Sequence, residues 1–306
     1  MKFTILKSLI KKILPWKLYK LLANGFIIVP KYYQRIIEEA ERNFDLAHEK
    51  HADKDIMLMR KYGHIIDKGL HRSDASPGHS KAIYLELKQL LGCLASTEYV
   101  KDPTYQWAAE KVKLYEQLQY SPESFQPEHA ELTNETIDFE KFKELVKHRR
   151  SNRSFTPRVI EATTIAVLKD LANWAANSCN KQPINIFVSS DQELNKQCLA
   201  CCVGGTGFGD NIPTFWCFTA NVRAYVWPSE IYLPAIDVSL GAQNVFLAAQ
   251  TLGITGTILS WGQHSKDDEH RLRNLLKISE EYDIIFCAVM GYASFGYLPP
   301  ARKCLS

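Results

Sequence analysis

Arg149, Arg150 and Arg153 fall within five residues of one another in HRRSNRSF (148–155), with Ser151 and Ser154 interleaved. Guanidinium forks grip phosphate bidentately, and adjacent hydroxyls add neutral donors, so this spacing suits a phosphate joined to a polar heterocycle. The bland alternative is the solvated basic end of a helix. Three further stretches offer chemistry. ANSCNKQP (176–183) places Ser178, Asn180 and Gln182 in one connection, as ligand contacts or as helix-end caps. GGTGFGDN (204–211) has the look of a dinucleotide fingerprint. Its context excludes that reading, because no strand precedes it and a strand start with Pro213 follows. A backbone approach to a flat ring and an ordinary surface loop both stay open. Near the C-terminus, Arg302 and Lys303 are either two more cations for an anionic group or a frayed basic tail.

The elements that must position these residues follow two textures. From about Pro30 to Leu118 apolar residues recur at helical spacing, in YYQRIIEEAERNFDLAHEKH, KDIMLMRKYGHIIDKGL, SKAIYLELKQLLGCLAS and TYQWAAEKVKLYEQLQ. YSPESFQPEHAELTNETID then reads as a linker or chain-crossing arm. Beyond it, DFEKFKELVKHRR predicts a helix whose last turn carries His148, Arg149 and Arg150. PRVIEATTIAVLKDLANWAAN predicts a second helix, opened by Thr156 and Pro157. Strands are expected at Ile184–Ser190, Thr214–Ala220, Thr255–Trp261 and Asp283–Ala293. Between the second and third, the helix Asp237–Gly253 is apolar nearly all round. That pattern predicts burial on every side and a subunit interface.

Composition narrows the class. At 306 residues the chain holds one or two domains, and a net charge of +3 without a basic stripe argues against nucleic acid. Eight scattered cysteines and no secretory leader read as reduced thiols in a cytoplasm. CLACC (198–202) lacks the second Cys or His pair of a zinc site, so no metal is expected. At the start, Phe3, Leu6, Leu9, Ile10, Ile13 and Leu14 share one helical side, with Lys7, Lys11 and Lys12 outside it. Residues 1–22 are too short an apolar run to span a bilayer. They suit peripheral contact with an anionic membrane surface, or packing on this chain or a partner subunit.

RRSNRSF, SCNKQP, the Asp237-led Ala-rich helix ending in Leu-Gly-Ile, and CAVMGYA with its basic tail occur in one order. Residues 141–306 thereby resemble the nitroreductase family. The resemblance implies an α+β fold, a nitroreductase-like central mixed sheet flanked by helices, with an all-helical N-terminal extension. The division expected is an extension over 1–120, a linker over 121–139 and an FMN-binding domain over 140–306.

By the same resemblance, the protein is a homodimer holding FMN at its interface, reduced by NADH or NADPH, and acting on a small-molecule substrate. Arg149, Arg150 and Ser151 would hold the phosphate and ribityl chain, with Arg302 and Lys303 closing on the phosphate. Arg153 would lie at the pyrimidine edge, where a cation favours negative charge on the reduced ring. Ser178, Asn180 and Gln182 would contact ribityl and isoalloxazine, partly from the other subunit. Leu259 and Ser260 would lay backbone against the ring near N5. No catalytic acid or base is demanded, and none is assigned.

Two departures stand out. Ala176 and Asn177 replace the proline and serine of many members, and Val222–Asp237 is short where larger members insert a lid. Tyr225, Trp227 and Tyr232, or the N-terminal half, could cover the pocket instead. The stretch RKYGHIIDKGL…HR…SPGH resembles an extension of nitroreductase-like proteins of surface-polysaccharide gene clusters. It suggests a polar cluster of His64, Lys68, His71 and His79 facing the active site, and a polysaccharide-biosynthesis intermediate as substrate. Competing readings are an FMN-dependent dehydrogenase of a specialised substrate and a non-catalytic flavin-binding or partner protein.

Overall fold

The computed structural model describes residues 29–72, 74–126, 138–208, 210–262, 264–298 and 300–304. The amphipathic segment 1–22 and most of the expected linker lie outside the described residues. Four helices come first: α1 (Val29–His48), α2 (Ala52–Leu70), α3 (Lys81–Leu94) and α4 (Pro103–Tyr120). They match the four periodic segments. In α2, Met59, Gly63, Ile66 and Leu70 form one buried stripe at three- and four-residue steps. Gly63 lets α4 come close, since a Cβ there would lie 2.6 Å from the Trp107 ring.

The start of α4 is built for its place. Asp102 caps it by accepting from the Thr104 amide, Pro103 occupies the first turn, and the Asp102 carboxylate pairs with Arg60 of α2 at 2.8 Å. Burial works against the Asp102 charge, but Thr104 and Arg60 outweigh it and hold the carboxyl below its ordinary range. A depressed carboxyl stabilises the fold above the unfolded-state pKa, and that contribution fades as pH falls through the folded value. Asp102→Asn retains a capping side chain but loses the ion pair. We expect it to destabilise the protein by about 1–3 kcal/mol at pH 7 and by less near pH 3, where part of the contribution has already been lost. Denaturant melts at the two pH values check this, and an equal loss at both would contradict it.

The second part adds α5 (Phe139–His148), α6 (Ala162–Asn173), β1 (Ile184–Ser189), α7 (Gln192–Ala200) and β2 (Thr214–Asn221). There follow α8 (Leu233–Thr251), β3 (Ile254–Leu259), α9 (Lys266–Leu276) and β4 (Tyr282–Tyr292). The strands form one sheet in the order β1-β2-β4-β3. Central β2 is buried along its whole length and alternates between two cores. Trp216, Phe218 and Ala220 face α8 residues Val238, Val245 and Phe246, in a cluster continuous with the helical extension. Phe215 and Cys217 face the opposite core, with Cys198, Leu199 and Leu272.

The α+β class, the helical extension and all four strands agree with expectation. Three details differ. The described pairings are all antiparallel, where a mixed sheet was expected. Helix α6 begins at Ala162 and not at Pro157: Phe155 bridges Ala293 and the Thr156 amide donates to Tyr292 O, so this stretch extends the sheet. The fixed φ of proline suits extended backbone as well as a helical first turn. Likewise α5 ends at His148, with Arg149 at ψ 127°, so both arginines open a loop instead of ending a helix.

Among the described residues, helix α8 is buried on one side only. Gly241 packs so tightly on α6 that a Cβ would meet Ala172 O at 2.7 Å. The far side leaves Ile236 50% and Leu240 47% exposed. Burial on every side is therefore not met among the described residues.

Candidate functional site

The segment after α5 is held by a residue that sequence reasoning passed over. Asn152 is buried; its Nδ2 donates to Phe295 O at 2.8 Å, and its Oδ1 accepts from the Ser154 amide at 2.9 Å. Thr257 Oγ1 of β3 donates to Asn152 O at 2.6 Å. Pinned to β3 and to the chain beyond β4, the loop presents the flanking residues outward: Arg149 and Arg150 half-buried, Ser151 and Arg153 exposed. The pattern N-between-R was visible in the sequence, but nothing local showed that the asparagine faces inward.

Here the electrostatics are unbalanced. Burial, then the Arg150 and Arg302 guanidiniums, push Arg149 below the ordinary arginine range. Arg150 donates to Arg149 O at 2.6 Å, and its buried Nε has no hydrogen-bond partner. Arg60, Arg223 and Arg273 each hold carboxylates. Among the described residues no carboxylate pairs with Arg149, Arg150, Arg153 or Arg302. Crowded guanidiniums with an unmet donor are the kind of donor set that a polyanion would satisfy.

Two more of the sequence's pieces converge on this loop. Arg153 lies over the Phe208 ring at 6.0 Å, Phe208 stacks on Phe155, and a Cβ on Gly207 would lie 3.7 Å from Arg153 Cδ. Gly207 has φ +84°, a conformation that glycine adopts without strain. Asn211 Nδ2 donates to Phe155 O and Thr156 O. At its other end the glycine loop meets Leu259–Ser260, where a Cβ on Gly204 would come within 3.0 Å of Ser260 N. Leu259 is buried in the core and Ser260 is exposed. Beside this loop opens a cavity of about 390 Å³, lined by Lys196, Cys202, Val203, Thr206, Phe208 and Asp210. Arg302 belongs to the cluster, whereas Lys303 is exposed without a described contact there.

The SCNKQP loop is built with equal care elsewhere. Cys179, Asn180 and Gln182 all have left-handed φ, at 53–55°. Each such non-glycine residue is strained by roughly 1–2 kcal/mol, so the surroundings must over-determine the loop. They do. Asp237 of α8 accepts from Ser178 N at 3.1 Å and Ser178 Oγ at 3.0 Å. Asn177 Oδ1 accepts from the Gln182 amide, and Gln182 Nε2 donates to Asn180 Oδ1. Buried Lys181 reaches Ala224 O at 2.5 Å and Glu230 at 2.8 Å, and Arg60 of the extension donates to Lys181 O. Tyr225 donates to the other Asp237 oxygen at 2.8 Å; burial and then Asp237 raise its pKa, so it stays a donor. The signals for Asp237 were its place at the head of the Ala-rich helix and its being the only carboxylate between Asp237 and Gly253.

Within one chain, the two loops stand apart. SCNKQP leads into edge strand β1, and Leu259 ends the opposite edge strand β3. Three interstrand spacings separate these edges, about 14 Å, before any offset along the strands. Other expectations change as well. Tyr225 is buried on Asp237 and is no lid, while Trp227 is 62% and Tyr232 76% exposed. Of the residues of the expected histidine cluster, His71 turns back to Asp67, His79 contacts Ser76 O, Lys68 is exposed and His64 is half-buried. In CLACC, Cys201 and Cys202 turn their thiols to helix carbonyls one turn back, and burial pushes Cys198 up to about 12.

Residues 146–205 match the nitroreductase family model, a segment that runs from the arginine loop through SCNKQP to the glycine loop. The resemblance expected from the motifs is borne out there. Among curated proteins none matches significantly. Solved structures similar to this chain include an FMN-dependent nitroreductase from Clostridium difficile R20291. It is 20% identical, with a TM-score of 0.45 over 51% of this chain and 90% of that one. A nitroreductase-like protein from Streptococcus mutans is 16% identical, with a TM-score of 0.47 over 55% and 96%. Nitroreductase A from Vibrio parahaemolyticus is 19% identical, with a TM-score of 0.46 over 55% and 72%.

Proposed function

We propose, from the nitroreductase-family match and the arginine loop, that this chain is an FMN-dependent oxidoreductase using NADH or NADPH to reduce a small organic acceptor. The observation that carries this reading is the cluster of Arg149, Arg150 and Arg302, without carboxylate partners and with the Arg150 Nε unmet. A phosphate monoester fits that donor set, and Ser151 adds a hydroxyl beside it. When bound, FMN would supply hydride transfer from the nicotinamide to the acceptor.

The residues present would then divide the work. Arg149, Arg150, Ser151 and Arg302 hold the phosphate, with Lys303 next in the chain. Arg153, kept in place by Phe208, supplies positive charge at the edge of the ring. The backbone at Leu259–Ser260 offers its polar groups to one ring face. The cavity beside Phe208 gives a small acceptor room and an apolar wall with Lys196 and Asp210 at its rim. Ser178, Asn180 and Gln182 lie at the far edge of the sheet, so in this reading they serve the site of a second copy. The uncovered side of α8, with Ile236 and Leu240, is the surface we assign to that homodimer.

This reading keeps residues 1–120 as a helical extension, 121–139 as a linker and 140–306 as the flavin domain. No described helix is long and apolar enough to cross a membrane. A cytoplasmic site of action, with residues 1–22 touching a membrane or a partner, remains part of the proposal. A polysaccharide-biosynthesis intermediate is the acceptor class that the extension's resemblance suggests.

The test is the visible spectrum of the purified full chain, before and after anaerobic NADPH or NADH. A flavin band that bleaches is the expected result. A band that persists under both reductants would favour a dehydrogenase of a specialised substrate. Absence of a band after incubation with FMN would overturn the flavin assignment.

A further inference from the structure

Away from the arginine loop, the junction between the helical extension and the sheet domain gathers a second set of chemical groups. His264 lies on the loop between β3 and α9 and is only 6% exposed. Its ring stacks on Trp261 at 3.9 Å between centroids and 13° between planes. Its Nδ1 contacts Trp261 O. A carbonyl can only accept, so Nδ1 carries the proton and Nε2 of the neutral ring presents a lone pair. That Nε2 faces Glu269 Oε2 of α9 at 3.3 Å. Two lone pairs in that position attract only if positive charge lies between them, either a second ring proton or a metal ion.

A third group reaches the same place. Glu39 of α1 brings a carboxylate oxygen to the same point, so that one atom from each of Glu39, His264 and Glu269 lies within 4.8 Å of the others. We propose that these three residues form a binding site for a borderline divalent cation of the zinc type, joining the helical extension to the sheet domain. Tetrahedral coordination with bonds of about 2.0–2.1 Å places ligand atoms roughly 3.3 Å apart, as the histidine and Glu269 already are. Water would complete the shell.

The surroundings follow the pattern of metal sites. The histidine donates its other nitrogen to a backbone carbonyl, which sets the tautomer that a metal needs. Arg273 holds Glu269 through Oε1, at 2.8 and 2.9 Å, and Arg42 also approaches Oε1, so Oε2 is the oxygen turned to His264.

The experiment is a calorimetric titration of chelator-treated full-length protein with ZnCl₂, with MgCl₂ as the hard-cation control. One Zn²⁺ per chain is expected, with no comparable response to Mg²⁺. Glu39→Gln and His264→Gln should each weaken it at least about 10-fold. Glu38→Gln removes a neighbouring carboxylate that pairs with Lys266 at 2.6 Å and should leave affinity unchanged. Zinc should raise the melting temperature of the wild type by several degrees and that of Glu39→Gln much less. If His264→Gln does not fold, Glu39→Gln with zinc-edge absorption of the wild type, showing an imidazole ligand, gives the same decision. Absence of saturable binding would mean that a second ring proton sits between the groups, and would overturn the site. So would binding indifferent to both substitutions, as expected from the exposed thiols Cys93, Cys179 and Cys304.

Discussion

Replacing Arg149 and Arg150 together with glutamine is expected to yield a colourless protein whose affinity for FMN has fallen about 10²–10⁴-fold. Each arginine offers charge-assisted hydrogen bonds worth about 1.5–3 kcal/mol, and two such losses convert to that range. The fold should not suffer. In the free protein these side chains repel each other and Arg302, and Arg149 is already pushed down by burial and by both neighbours. Thermal stability without flavin should therefore be unchanged or higher. Riboflavin, which lacks the phosphate, separates the proposed role from a general one: its affinity should be the same in variant and wild type. Arg158→Gln is the control, since Arg158 stacks on Tyr292 at 3.8 Å and belongs to the sheet extension. Wild-type FMN affinity in the double variant, measured by quenching of flavin fluorescence, would place the phosphate elsewhere.

Asp237→Asn should destabilise the protein by about 2–4 kcal/mol. In a chain of this size that corresponds to a melting point lower by roughly 3–6 °C. Asp237 is 2% exposed and accepts from Ser178 N, Ser178 Oγ and Tyr225 Oη. An amide keeps one acceptor and turns an NH₂ toward groups that already donate. The three left-handed residues of SCNKQP then lose part of what holds them, and flavin affinity should drop with stability. Adding Tyr225→Phe removes one of the competing donors, so the double variant should lose less than the sum of the single losses. Strict additivity would show that the two side chains are not coupled through the carboxylate.

Both predictions rest on residues whose chemistry was legible and whose arrangement was not. The strands were readable to within one or two residues, because alternating or continuous apolar runs bounded by turn residues leave the backbone few options. The arginine loop was legible as chemistry, since nothing in ordinary packing asks for three guanidiniums beside two hydroxyls. Its conformation was not. RRSNRSF could end a helix or begin an extended segment, and the choice came from Asn152 bonding to Phe295 O and Phe155 bridging Ala293. Those partners lie about 140 residues away, beyond the reach of any local pattern. Helix α8 shows the converse. Its all-round apolar sequence required cover on each side, and among the described residues cover comes mainly from the side facing α6 and the sheet.

The amino-acid sequence by itself determined the α+β class, the helical extension, the places of the strands and the residues suited to a phosphate. Local spacing and side-chain chemistry are enough for each of these. Only the tertiary structure decided that the arginine loop, the glycine loop and Leu259–Ser260 share one place while SCNKQP lies at the opposite edge of the sheet. It alone brought Glu39 to His264 and Glu269. Strand order and helix docking depend on contacts between segments far apart in the chain, where burial and hydrogen bonding are settled jointly and no short stretch carries the result.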